Sequence, residues 1–136
     1  MRDDGGPRDL LDLAGGLLRR ADPATAGLWP RASALLGRQA LEASVLRLWE
    51  RRTLDLKGCS MRAQLICLRT YLGDADLAAR AALAWSSLSR ACHHHPYELA
   101  PTAGELEDWF SVVGELIRKV GPAADSPAPP PSSPLS

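Results

Sequence analysis

The chain has 136 residues, one domain's worth, and its 16 basic and 16 acidic side chains cancel to a formal net charge of zero. Hydrophobic residues make up 46 % and charged residues 24 %, enough apolar surface to exclude a wholly disordered chain and no bulk positive charge with which to hold nucleic acid. Leu and Ala supply 44 residues against 6 from Val and Ile, an imbalance that favours helix over strand.

Residues 1–8 are polar, carry Gly5, Gly6 and Pro7, and read as a flexible N-terminus. Asp9 is placed to cap a first, short helix with Leu10, Leu13, Ala14, Leu17 and Leu18 on one stripe. Gly15 and Gly16 weaken that helix and suggest close packing against a neighbour. Asp22-Pro23 restarts the chain, and Trp29-Pro30 marks a second restart or a kink.

The longest helix runs from Pro30 to about Arg52. Its apolar residues, from Leu35 through Leu41 and Val45 to Trp49, surround most of the circumference, which predicts a central helix buried by several neighbours. Arg38, Gln39 and Glu42 form a polar seam on one side of it, read either as a solvated edge or as a buried site in which Glu42 pairs with an arginine from a facing helix, Arg90 being the candidate.

A third helix starts near Ser60 and ends at Gly73, with Met61, Leu65, Leu68 and Leu72 on one face and Gly73 placed for a left-handed stop. A fourth begins at Asp74 or Asp76 and carries Leu77, Ala81, Ala84, Leu88 and Ala91, with Trp85 and Cys92 beside them. It must end before Pro96. The fifth opens on Thr102-Ala103-Gly104-Glu105, a capping box, presents Leu106, Trp109, Phe110, Val113, Ile117 and Val120, and stops at Gly121-Pro122. Residues 121–136 hold six prolines among Ala and Ser and read as a disordered tail. The expected fold is all-α: a four-helix bundle over residues 9–120 with one additional short N-terminal helix.

Cys59, Cys67 and Cys92 suggest neither a disulfide framework nor paired zinc-binding arms, so a reducing cytoplasm is the expected compartment. No apolar run is long enough to span a membrane, and the N-terminus has no apolar signal core. The four tryptophans, Trp29, Trp49, Trp85 and Trp109, read as core and interface anchors. Residues 28–70 hold seven Arg and one Lys against three acids, so Arg31, Arg38, Arg47, Arg51, Arg52, Arg62 and Arg69 are candidates for a local basic face.

The densest polar constellation is Ser89-Arg90-Ala91-Cys92-His93-His94-His95-Pro96-Tyr97, which holds every histidine of the chain. Arg grips phosphate in a bidentate fork and His exchanges protons near neutral pH, so Arg90 with a neighbouring His could act on a phosphodiester. The same residues suit a plainer role, complementing the helix dipole and capping loose carbonyls. Four consecutive ligand residues cannot all turn toward one ion, so no metal and no cofactor is assigned. Cys92 and His93 are sequence neighbours that do not face one another on a helix, which disfavours a thiol nucleophile.

The order LLGRQALEASVLRLWE in a central helix, then SMRAQLICL, then WSSLSRACHHHPY, resembles the HEPN superfamily of small helical bundles. Its members pair an alanine-rich helix of the Gln-Ala-x-Glu kind with an Arg-x4–6-His motif at the end of a later helix. Arg90 and His95 match that motif, and Gln39 and Glu42 match the central helix; the resemblance covers about residues 28–120. Catalytic members are metal-independent ribonucleases that act as homodimers with both motifs at the interface. The resemblance therefore implies that Arg90 orients the scissile phosphate, that His95 serves as acid or base, and that the RNA 2′-hydroxyl attacks. Ala91 departs from the catalytic pattern, which usually has a polar residue after the arginine, and His93 and His94 leave open which histidine acts. The expectation is a homodimeric HEPN-like protein that cleaves or binds RNA in a defence or toxin–antitoxin setting. The alternative is a non-catalytic helical module that contacts a protein partner.

Overall fold

The computed structural model describes residues 6–20, 29–93 and 99–122. Among them are five helices and no strand: α1 Pro7–Arg19, α2 Trp29–Arg51, α3 Met61–Tyr71, α4 Ala75–Cys92 and α5 Ala103–Val120. The fold is all-α. The expected Asp22-Pro23 restart and the proline-rich segment beyond Pro122 lie outside the described residues.

The ends of the helices follow local chemistry. Ser60 caps α3 by accepting from the amide of Ala63, and Asp74 caps α4 by accepting from Leu77. Thr102 and Glu105 close both halves of the capping box of α5. Gly73 and Gly121 take positive φ, 77° and 84°, after α3 and α5. A Cβ at Gly121 would also meet the end of the Arg51 side chain, which would have to move aside. The Arg51 guanidinium donates to the carbonyl of Val120, tying the end of α5 to the end of α2.

Two expectations about α1 need correction. The helix begins at Pro7, with Gly6 as its N-cap, and Asp9 sits within the first turn. Proline at the first helical position gives up only an amide that would lack a partner in any case. Its buried face is also rotated: Leu11 joins Ala14 in the core, Leu10 and Leu18 pack against it as expected, and Leu13 and Leu17 are 57 % and 36 % exposed. The rotation is held by Ser33 of α2, whose buried hydroxyl donates to the carbonyl of Ala14 at 2.8 Å.

Helix α2 is central, packing against α1, α4 and α5 and more lightly against α3. Its buried residues, Pro30, Ser33, Ala34, Gly37, Ala40, Leu41, Ser44, Val45, Leu48 and Trp49, are mostly small in the N-terminal half, which lets neighbouring helices approach. The approach is tight at Gly37, where a Cβ would overlap the ring of Phe110 on α5. Close packing thus occurs there, whereas a Cβ at Gly15 or Gly16 would meet only α1's own Arg19 or the adjoining Arg20.

The α2–α3 joint is polar as well as apolar. The Trp49 indole donates to Gln64 at 3.0 Å, and the Gln64 amide donates to the carbonyl of Cys59. Arg80 of α4 bridges Asp76 on its own helix and Glu115 on α5, which holds its guanidinium above its ordinary pKa through those hydrogen bonds. Trp49 is buried, while Trp29, Trp85 and Trp109 are half-buried against the core, as expected of anchors.

Candidate functional site

Arg90 lies in the last turn of α4, and His93 is that helix's C-cap, its amide donating to the carbonyl of Arg90 at 3.2 Å. The start of α5 faces them across a groove of about 430 Å³. Arg31 from α2, Arg90 and His93 from α4, and Thr102, Glu105 and Trp109 from α5 contribute to its walls. Helix ends place these groups: α4 stops just past Arg90, and the capping box turns the chain into α5 with the Trp109 ring two turns along.

The electrostatics of the groove favour an anion. Neither the Arg31 nor the Arg90 guanidinium has an ion-pair or hydrogen-bond partner among the described residues. The carboxylate of Glu105 is occupied, accepting from the Thr102 amide at 3.2 Å and from its hydroxyl at 3.1 Å. Among the described residues, two unpartnered guanidiniums and an imidazole therefore share the groove with one carboxylate already committed to a helix cap. His94 and His95 lie outside the described residues.

The polar seam of α2 is a separate feature. Glu42 accepts from the indole N–H of Trp85 on α4 at 3.0 Å and lies 3.4 Å from the Nε of Arg38, one turn earlier on its own helix. The expected Glu42–Arg90 pair is thus replaced by Glu42–Trp85 and Glu42–Arg38. Arg90 cannot join, because Trp85, Ser89 and Cys92, at positions i, i+4 and i+7, form the flank of α4 that lies toward Glu42, and Arg90 follows Ser89 by a rotation of about 100°. Gln39 is exposed and stands apart from these contacts.

Cys92 belongs to the same seam. Burial pushes its thiol above the ordinary value of 9.0; the positive charge of Arg38 opposes that rise and the negative charge of Glu42 adds to it. The Nε of Arg38 and the hydroxyl of Ser89 are buried without a hydrogen bond among the described residues. A raised thiol is a weaker nucleophile at neutral pH than an ordinary one. No three His, Cys, Asp or Glu side chains among the described residues come together as they would around a metal ion.

Sequence reasoning located Arg90 and His93 but missed Arg31, Glu105 and Trp109, which join them only through the crossing of α2 and α5 over α4. It also missed Trp85 as the partner of Glu42, although the Trp85, Ser89 and Cys92 spacing was a usable signal. The basic residues between 28 and 70 do not share one face. Arg51 and Arg52 donate to backbone carbonyls of Val120 and Tyr71, Arg38 pairs with Glu42, and Arg31 lies in a different groove from Arg62 and Arg69.

No helix among the described residues is long and apolar enough to cross a membrane. No family model, curated protein or solved structure matches the chain.

Proposed function

We propose that this chain is a HEPN-like helical module that engages RNA through the groove between the end of α4 and the start of α5. The observation that carries the reading is the Arg90 guanidinium, exposed, unpaired among the described residues and lining that groove with Arg31 and His93. A surface arginine with no carboxylate partner is free to form a bidentate pair with a phosphate.

In this reading Arg90 neutralises two non-bridging oxygens of the scissile phosphate, and Arg31 holds a neighbouring phosphate. His95, five positions after Arg90, takes the proton of the RNA 2′-hydroxyl or supplies one to the leaving oxygen. The 2′-oxygen bonds to phosphorus, the bond to the 5′-oxygen breaks, and that oxygen leaves as a hydroxyl. The products are a 2′,3′-cyclic phosphate and a 5′-hydroxyl end, so neither a protein nucleophile nor a metal enters the balance. A homodimer that juxtaposes two such grooves, acting in a defence or toxin–antitoxin setting, completes the proposal.

The test compares degradation of a single-stranded RNA by the wild type, Arg90→Ala and His95→Ala, with chelator present. Cleavage lost in both variants supports the enzyme. Equal rates in all three remove it.

A second reading, a non-catalytic protein-interaction module, is favoured by Leu13 and Leu17, an exposed apolar pair one turn apart on α1. Retained RNA affinity without any cleavage would support binding alone, and loss of both would favour the interaction module.

A further inference from the structure

The flank of α4 that packs against α3 carries a second groove, of about 330 Å³, that shares no lining residue with the first. Its floor is alkyl: Leu65 and Ile66 on α3, Ala78 and Ala82 on α4. Ile66 is 68 % exposed, although α3 has a buried face available through Leu65, Leu68 and Leu72. Alanines on the facing wall leave a trough into which larger side chains can descend.

Charge marks the rim. Arg62, Ile66 and Arg69 follow one another at i, i+4 and i+7, so an isoleucine lies between two arginines whose backbone positions are about 10 Å apart along the helix. Neither guanidinium has an ion-pair or hydrogen-bond partner among the described residues, and no acidic residue lines the groove. The acids at the start of α4 are already engaged, Asp74 in capping Leu77 and Asp76 with Arg80.

From the apolar floor and the two free cations we infer that the α3–α4 groove is a docking site for an amphipathic helix of a partner protein. That helix places aliphatic side chains over Ile66 and Ala82 and two carboxylates seven positions apart against Arg62 and Arg69. The alkyl floor fits aliphatic side chains better than nucleic acid, which would leave Ile66 facing sugar and phosphate. The inference is independent of the proposed RNA groove, since it uses different residues and a different partner.

The test uses the full chain and a dye-labelled designed helical peptide with a Leu/Ile stripe and Glu at positions i and i+7, read by fluorescence anisotropy. A second peptide replaces both Glu by Lys. The expected result is saturable binding of the Glu peptide, at least tenfold tighter than the Lys peptide. The Arg62→Glu/Arg69→Glu double variant reverses that preference, and Ile66→Asp weakens the Glu peptide at least tenfold. All these positions are on the surface, and an unchanged far-UV spectrum and Tm confirm that the variants fold.

Three results overturn the inference. One is wild type binding both peptides equally or neither. Another is a concentration-dependent dimer, seen by sedimentation, that Ile66→Asp dissociates, which makes the groove a contact between copies. The third is a single-stranded RNA that displaces the peptide and loses affinity in the double variant.

Discussion

The ring of Phe110 occupies the space that a side chain at Gly37 would need. Here α5 packs closely on α2, and Phe110 is itself buried. Two effects oppose each other in Gly37→Ala: alanine favours the helix by about 1 kcal/mol, while overpacking costs about 1–3 kcal/mol. A phenyl ring held between helices has little freedom to withdraw, so overpacking wins. Urea denaturation should show a net loss of about 1–2 kcal/mol. In the Phe110→Leu background the same substitution should be neutral or stabilising, which a double-mutant cycle detects.

Thr53, just past the end of α2, has φ of 55°, a left-handed conformation that a β-branched residue adopts at a cost. The amide of Leu54 reaches back to the carbonyl of Trp49 and that of Thr53 to Glu50, the paired hydrogen bonds of a Schellman stop. Thr53→Gly should therefore raise stability by about 1 kcal/mol, with an unchanged denaturant slope. A loss of stability would mean that the threonine side chain contributes more than its backbone strain costs.

Trp85→Phe removes the indole donor from Glu42 while keeping an aromatic ring in the seam. A hydrogen bond to a carboxylate contributes about 1.5–3 kcal/mol, and the partial exposure of Glu42 brings this one below that range, to about 1 kcal/mol. Thermal denaturation of Trp85→Phe, Glu42→Gln and the double variant should show non-additivity, the two losses overlapping.

The raised thiol of Cys92 makes a pH prediction with a definite sign. Folding favours the neutral thiol, so this contribution to stability is present below the ordinary value of 9.0 and is lost as the pH rises above it. Cys92→Ala should flatten that alkaline decline. Alkylation of Cys92 in the folded chain, followed by peptide mass spectrometry across pH, should rise only above the ordinary thiolate range. Arg38→Met should move its profile further upward and Glu42→Gln downward, following the signs of the two charges.

RNA affinity should depend on Arg31 and Arg90 as phosphate anchors. Replacing either by Ala should weaken binding of single strands of different sequence alike. Each change should also reduce the slope of log affinity against log salt by about 0.7. Unchanged slopes would place the phosphates elsewhere on the molecule.

Much of the bundle was legible because its punctuation is chemical and local. Ser60, Asp74 and the Thr102–Glu105 pair act on amides within their own turn, and Gly73 and Gly121 act through their own dihedrals. The face of α1 was not legible, because leucines at 10, 11, 13, 17 and 18 support more than one stripe, and the choice is made by Ser33 from another helix. Gly37 drew no reading from the sequence, since its partner is 73 positions away. The site shows the same division. Arg90 and His93 follow from a helix end, whereas Arg31 and Trp109 reach the groove through tertiary packing.

The serine hydroxyl that reaches from α2 into the backbone of α1 has a mechanical meaning. Two rods touching only through aliphatic surface could settle at several axial offsets, each a helical turn of about 5.4 Å from the next. A directional contact, from Ser33 to the oxygen of Ala14, favours one of those settings. It acts as a locating pin between the first helix and the central one.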